Sequence, residues 1–301
     1  VVVVLLLLGL LAACGDLFAV EQQPVPIEAQ GKLIPLLAVS ELEVGQNRLP
    51  IAVLKDGVPL NDPDLTLHLR FFYLDGEDKT AVQFESDTLY RGTGLPVGLY
   101  VAYPEMEQAG AWSVEVAIPQ EQGEPQKSRL RLDVLAEGTT PPIGSQAIAS
   151  ENRTSADVAS LEQLTSDVDP DPVLYQMTIA EALQAHKPFM VMFGTPGYCK
   201  TAVCAPNMLV MKDLRQQFGE QVNFIHVEVY PYPFDEAFEE QRFVPTMQEW
   251  NLTTEPWTFL VDATGTIRAK YEGGLTFDEL EPALEALSTP DNGDTSDAKS
   301  G

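Results

Sequence analysis

Phe189-Met190-Val191-Met192-Phe193 is an unbroken apolar run. Directly behind it comes Gly194-Thr195-Pro196-Gly197-Tyr198-Cys199-Lys200-Thr201-Ala202-Val203-Cys204-Ala205-Pro206. An apolar run of this length between Pro188 and Gly194 reads as a strand covered on both faces, the kind found at the centre of a parallel sheet. Beyond Pro206, Met208, Met211, Leu214 and Phe218 recur at helical spacing, and Val222–Val229 is a second apolar strand. Two parallel strands joined by a crossover helix are therefore expected, with both cysteines at the strand-to-helix turn.

That location suits sulfur chemistry. A free thiol with a pKa near ~8.5 is mostly protonated at neutral pH, and the thiolate is the nucleophile. The N-terminus of a helix presents unpaired N–H groups and roughly half a positive charge, which stabilises the anion. Cys199 comes first on the turn and is assigned as nucleophile. Cys204 is assigned as the resolving thiol that attacks the mixed disulfide. A disulfide needs Cα atoms about 4.4–6.8 Å apart, whereas residues five apart on an α-helix rise by ~7.5 Å. The segment between the cysteines is therefore expected as loop, with the long helix starting near Cys204 or Pro206, where a missing N–H costs nothing.

Working outward, Thr178-Ile179-Ala180-Glu181 fits a capping box that opens a short helix to Ala185. Glu255-Pro256-Trp257-Thr258-Phe259-Leu260-Val261-Asp262 reads as a strand. Ala263-Thr264-Gly265 turns it, Thr266 to Glu272 returns, and Gly273-Gly274 ends the hairpin. A second capping box, Thr276-Phe277-Asp278-Glu279, opens a last helix with Leu280, Leu284 and Leu287 on one face. This order of elements over residues 173–288 resembles the thioredoxin fold, and in particular the membrane-anchored extracytoplasmic thioredoxins, including those of cytochrome c maturation. The resemblance implies a cis peptide at Glu255–Pro256 beside Cys199, with Tyr198, Glu255 and Trp257 lining a substrate groove. It implies protein thiols or disulfides as partners and no cofactor.

The chain departs from that pattern in three places. Four residues separate its cysteines instead of two. Tyr198 stands where a Trp usually precedes the first Cys, one residue further from Phe193 than in the family. Met192 replaces the buried acid before that Phe, which leaves Glu228 on the neighbouring strand as the substitute for proton transfer. Residues 231–242 form an insertion of aromatic and acidic residues, readable as a partner-docking lid or as a partly packed loop with a solvated acidic face.

The preceding half has another character. Leu33–Ser40, Arg48–Leu54, Leu65–Leu74, Thr80–Phe84, Gly98–Tyr103, Ala111–Ile118 and Ser128–Leu135 are short β-rich runs between turn residues such as Lys55-Asp56-Gly57. About seven such strands over residues 33–137 suggest an all-β sandwich of immunoglobulin-like type. Residues 138–172, with Pro141-Pro142 and Asp169-Pro170-Asp171-Pro172, have the composition of a linker. Residues 289–301 are small and polar, the composition of a disordered tail.

The chain opens with thirteen apolar residues, too few for the ~20 of a membrane-spanning helix and suited to a secretory signal. Leu11-Ala12-Ala13-Cys14 resembles the lipobox of bacterial lipoproteins, which implies lipidation at Cys14, residues 15–32 as a tether, and a membrane-anchored extracytoplasmic protein. A net charge of −27 over 301 residues excludes nucleic acid and anionic lipid as partners of the folded surface, since both need Lys and Arg to neutralise phosphate.

A thiol–disulfide oxidoreductase is the leading reading. A copper-handling protein resembling the Sco family is the runner-up, because soft thiolates suit Cu(I); it needs a distal histidine, and only His68, His186 and His226 are available. His68 reads as an outward strand residue and His226 as structural, so no metal ligand is assigned. A third reading is a binding lipoprotein with a structural Cys199–Cys204 bridge.

Overall fold

The computed structural model describes residues 32–289; the expected signal, Cys14 and most of the tether and tail lie outside them. From Leu33 to Leu135 the elements are strands arranged in two five-stranded sheets and a two-stranded ribbon of Gly45–Gln46 with Glu105–Met106. The first orders Leu33–Leu37, Leu49–Lys55, Leu99–Ala102 and Leu89–Tyr90, with Val58–Pro59 paired to the second of these. The other orders Leu42–Glu43, Gln126–Leu135, Gly110–Ile118, His68–Tyr73 and Val82–Asp87. Side chains from both sheets meet in one buried cluster: Leu49, Ile51 and Val53 from the first, Leu69, Phe71, Val114, Val116 and Leu132 from the second. Period-two patterning explains this. In Gln126–Leu135 exposed residues alternate with partly or fully covered ones, as a sheet with one wet face requires. All seven expected strands are present. The two-residue strands, such as Gly45–Gln46 and Leu89–Tyr90, are too short to show a pattern.

The second domain is built on a four-stranded sheet ordered Asn223–Glu228, Phe189–Gly194, Trp257–Val261, Ile267–Glu272. The first pair is parallel, with Phe189 opposite Asn223; the others are antiparallel. The central strand is buried at every position. Phe189, Val191 and Phe193 face a cluster with Ile225, Phe259 and Trp250. Met190 and Met192 face the opposite cluster with Met208, Met211, Leu214, Leu280 and Leu284. Burial on both sides is the reason the run contains no polar residue. The long helix Cys204–Phe218 buries Met208, Met211, Leu214 and Phe218 on one stripe, each worth about 1.5–3 kcal/mol when fully buried.

The Thr178–Glu181 capping box forms as expected, with the Glu181 N–H donating to Thr178 Oγ1 at 3.0 Å and the Thr178 N–H to Glu181 Oε2 at 2.8 Å. The one expected at Thr276–Glu279 does not. Thr276 makes no side-chain cap bond and its Oγ1 is buried without a partner. The Glu279 carboxylate is instead held by the other domain: Arg48 donates to it at 2.7 and 2.9 Å, and the Tyr103 hydroxyl at 2.6 Å. Arg48 also donates to the carbonyls of Glu272 and Gly274 at 2.9 and 2.8 Å. Beside it, Lys270 pairs with Glu41 and Glu43 at 3.3 and 2.7 Å. Gly274 permits this close approach, because a Cβ there would lie 2.8 Å from Leu95 Cδ1 and 3.0 Å from Leu99 Cδ1.

Residues 138–172 depart from the linker expectation by packing along the second domain. The Gly144 and Ala147 N–H groups donate to the carbonyls of Ile267 and Gly265, and the Ile267 N–H to that of Ser145. Three short 3-10 helices follow, at Ser155–Asp157, Leu161–Gln163 and Pro172–Tyr175. Leu164, Leu174 and Tyr175 are buried against the long-helix face of the sheet. Asp167 and Asp171 pair with Lys212 and Arg215 of that helix at 2.7 and 2.6 Å.

Candidate functional site

The central strand ends at Gly194, and the chain turns at once, with the Tyr198 N–H donating to the Thr195 carbonyl at 3.2 Å. Between the cysteines the backbone stays out of helix: Ala202 has φ +58° and its N–H donates to the Cys199 carbonyl at 3.3 Å. The helix begins at Cys204, as disulfide geometry demands, and Pro206 falls in the first turn where no N–H bond is lost. Cys199 is half-buried and Cys204 buried, and both are free thiols.

Donors converge on Cys199. The Cys204 backbone N–H donates to its sulfur at 3.4 Å, and Thr201 Oγ1 lies 3.2 Å away. The Cys204 thiol, then the Thr201 hydroxyl, then the N–H groups of Cys204 and Val203 bring the Cys199 pKa down to about 5 against the cost of partial burial. Cys204 is shifted the other way: burial comes first, followed by the neighbouring Cys199 sulfur and the Glu255 carboxylate. One thiol is thus poised as an anion and the other held neutral, the division that nucleophilic and resolving roles require.

The Glu255–Pro256 peptide is cis, in keeping with the resemblance. Pro256 lies beside the cysteine turn, since a side chain starting at Gly194 would meet Pro256 Cβ at 3.5 Å and Cys204 Cβ at 3.8 Å. Glu255 Oε2 lies 2.7 Å from Cys204 Sγ. Burial, with help from the Cys199 charge, raises this carboxyl to about 7. Glu228, the residue sequence reasoning nominated for proton transfer, is elsewhere engaged: its Oε2 accepts from the Ser166 N–H and hydroxyl at 2.8 and 2.7 Å. Its Oε1 is buried without a hydrogen-bond partner, and burial pushes the group up to about 7. The only signal in the sequence for Glu255 was its place before the cis-proline, which suggested a groove residue instead.

Tyr198 rests on the insertion, its ring 5.6 Å from that of Phe238 and 6.4 Å from that of Phe234. Lys200 is pinned to the same segment by a 2.8 Å bond to Gln241 Oε1, with its ammonium 5.3 Å from the Phe238 ring. The insertion contains the helix Phe234–Glu239, whose Phe234 and Ala237 are buried while Asp235, Glu236 and Glu239 lie largely outside. This is the packed loop with an acidic outer face. Trp257 is a correction. It is buried in the core against Phe259, its indole N–H donates to Thr254 Oγ1 at 3.0 Å, and it does not line a groove with Tyr198.

Cys199, Cys204 and Glu255 place their donor atoms within 4.8 Å of one another, a set able in principle to hold a thiophilic cation. Among the described residues no histidine joins it. His226 is buried with both ring nitrogens engaged, Nδ1 with the Tyr175 hydroxyl at 2.9 Å and Nε2 with the Gly194 carbonyl at 3.2 Å. Burial lowers its pKa to about 4, so it is neutral. His68 lies on the outer side of the β domain beside Glu85 and Asp87. The third ligand that the copper reading needs is not assembled.

Residues 175–288 match the family model of the thioredoxin-like domain, and this part of the chain is a thioredoxin-like domain. Among solved structures, the chain is similar to a thiol:disulfide interchange protein of the thioredoxin family from Chlorobium tepidum TLS. The two are 15% identical over 38% of this chain and 86% of that one, with a TM-score of 0.30. A thioredoxin-like protein solved in solution in its oxidized form is 15% identical over 48% of this chain and 95% of its own, with a TM-score of 0.27. No curated protein matches the chain.

Proposed function

We propose that this protein is an extracytoplasmic thiol–disulfide oxidoreductase acting on protein partners. Cys199 attacks or is attacked, and Cys204 resolves the mixed disulfide. The observation that carries the reading is the opposed environment of the two sulfurs: Cys199 is half-buried and held near a pKa of about 5 by converging donors, while Cys204 is buried five residues on at the start of the long helix. A purely structural bridge has no use for a stabilised thiolate. The backbone before cis-Pro256 is the platform for an extended substrate, with Tyr198 at its edge. Purified Cys204→Ser should accumulate mixed disulfides with partner proteins through Cys199, and Cys199→Ser should not. If neither traps a partner and the wild-type bridge resists mild reductant, the cysteines form a structural clip.

In the same reading Cys14 is the lipid attachment site, and the N-terminal β domain is an immunoglobulin-like arm that carries the redox domain away from the membrane. The apolar run ending in Leu11-Ala12-Ala13-Cys14 supports the anchor, and the shared core of two largely antiparallel sheets supports the arm. Cys14→Ser should move the protein from the membrane fraction to the soluble one, or leave its leader uncleaved. A cleaved variant that still sediments with membrane would remove the anchor from the proposal and leave the redox site untouched.

A further inference from the structure

Resolution of a mixed disulfide requires the buried Cys204 thiol to lose its proton as it attacks. Cys204 is fully shielded, so bulk water has no direct access to that proton. The acid that the resemblance places before Phe193 is Met192, which lies among Met190, Met208 and Met211 in an apolar cluster. Glu228 has one oxygen committed to Ser166 and makes no hydrogen bond to either sulfur. The group that does reach Cys204 is the Glu255 carboxylate, 2.7 Å from its sulfur.

We propose, on the premise of the exchange reaction above, that Glu255 is the catalytic base that takes the Cys204 proton during resolution. The balance is as follows. The mixed disulfide joins Cys199 to a substrate sulfur. Cys204 Sγ attacks Cys199 Sγ, its proton passes to Glu255 Oε2, the Cys199–substrate bond breaks, and its electron pair leaves on the substrate sulfur. The two cysteines end oxidised as a disulfide, and the substrate disulfide has been reduced to two thiols once the thiolate released by the Cys199 attack takes a proton from solvent and Glu255 passes its own to the second, directly or through solvent. Run backwards, protonated Glu255 supplies the proton as Cys204 leaves.

Two features of the site suit this role. The Cys199 charge is one cause of the raised Cys204 pKa, and mixed-disulfide formation removes that charge, so the Cys204 proton becomes easier to take at the step that needs it. Burial, the largest cause of the raised Glu255 carboxyl, persists in the mixed disulfide after the Cys199 charge is gone, so the group stays a stronger base than an ordinary carboxylate at the step that uses it. An exposed carboxylate would be too weak a base for the exchange.

The test follows both sulfurs in one reaction. Full-length reduced protein carrying Cys14→Ser, so that only two thiols report, is mixed with excess Ellman's reagent. Attack by Cys199 releases one equivalent of coloured thiolate, and resolution by Cys204 releases a second. Glu255→Gln should leave the first release within about 2-fold and slow the second by ~100-fold, the usual size of a lost general base. The second phase should show a pH inflection above the ordinary carboxylate range, which should vanish in Glu255→Gln and return, with a smaller amplitude, in Glu255→Asp. A second phase unchanged in rate and pH profile would overturn the role of Glu255 while leaving the exchange reading standing. Equal slowing of both phases would also overturn it, by reducing Glu255 to scaffolding. A wild-type protein that gives no release from Cys199 would bring down both.

Discussion

Glu228 is buried with its two carboxyl oxygens unequally served. A carboxylate buried with only one oxygen hydrogen-bonded resists ionisation, and its pKa rises from 4.5 to about 7. The sign of the consequence is fixed. Between those two values the folded protein holds a proton that the unfolded chain has released, so the stabilisation present below about pH 4.5 is lost as pH rises through 7, by up to about 1.4 kcal/mol per pH unit. Glu255 acts in the same sense. His226, lowered from 6.5 to about 4, acts oppositely, costing stability as pH falls through that window. Comparison with Glu228→Gln therefore isolates the carboxyl. The urea midpoint of the variant should gain on the wild type between about pH 5 and pH 8. Parallel midpoints across that range would mean that Glu228 ionises freely in the folded protein.

At the level of elements, local patterns were readable and distant partnerships were not. The run Phe189–Phe193 announces a central strand because both of its faces must be apolar, and the five-residue spacing of the cysteines forces a loop before the helix at Cys204. Both follow from a handful of neighbouring residues. The wrap at 138–172 did not declare itself, because its order comes from backbone bonds to Gly265 and Ile267, more than a hundred residues away, and its Pro, Ser and Asp content is equally that of a linker. The Thr276–Glu279 motif failed for a related reason. A capping box competes with any stronger donor in reach of its Glu, and Arg48, 231 positions earlier, offers two charge-assisted bonds. Glu255 belongs to the same class: the fold alone brings it to Cys204, 51 positions away.

Across the whole molecule, the scarcity of positive charge is concentrated to effect. Of 18 basic residues against 45 acidic, Arg48, Arg91 and Lys270 all bridge the two domains. The Arg48–Glu279 pair is nearly sealed, with side-chain exposures of 7% and 3%. A desolvated ion pair is poor evidence of net stabilisation, but deleting one partner strands the other's charge. Arg48→Ala should therefore cost about 3–5 kcal/mol, read as a shift in the denaturation midpoint, and the β domain should become more susceptible to proteolytic separation from the thioredoxin-like domain. An unchanged midpoint would show that the Arg48 pair adds nothing to the hold between the domains, leaving it to the Arg91 and Lys270 pairs and the apolar contacts at Gly274.

The wrap also bears on how such a protein is assembled from parts over evolutionary time. The recognisable module begins at residue 175, yet several of its polar groups find their partners upstream: Ser166 supplies both donors to Glu228 and one acceptor to the Gly197 N–H, two residues before Cys199. Ser150 receives the indole N–H of Trp250, and Asn152 the N–H of Ile179. A recombination event that moved only the module onto another arm would deliver the cysteine loop without these partners. The structural unit is therefore longer than the matched span, and a few small polar side chains upstream of it complete its hydrogen bonding.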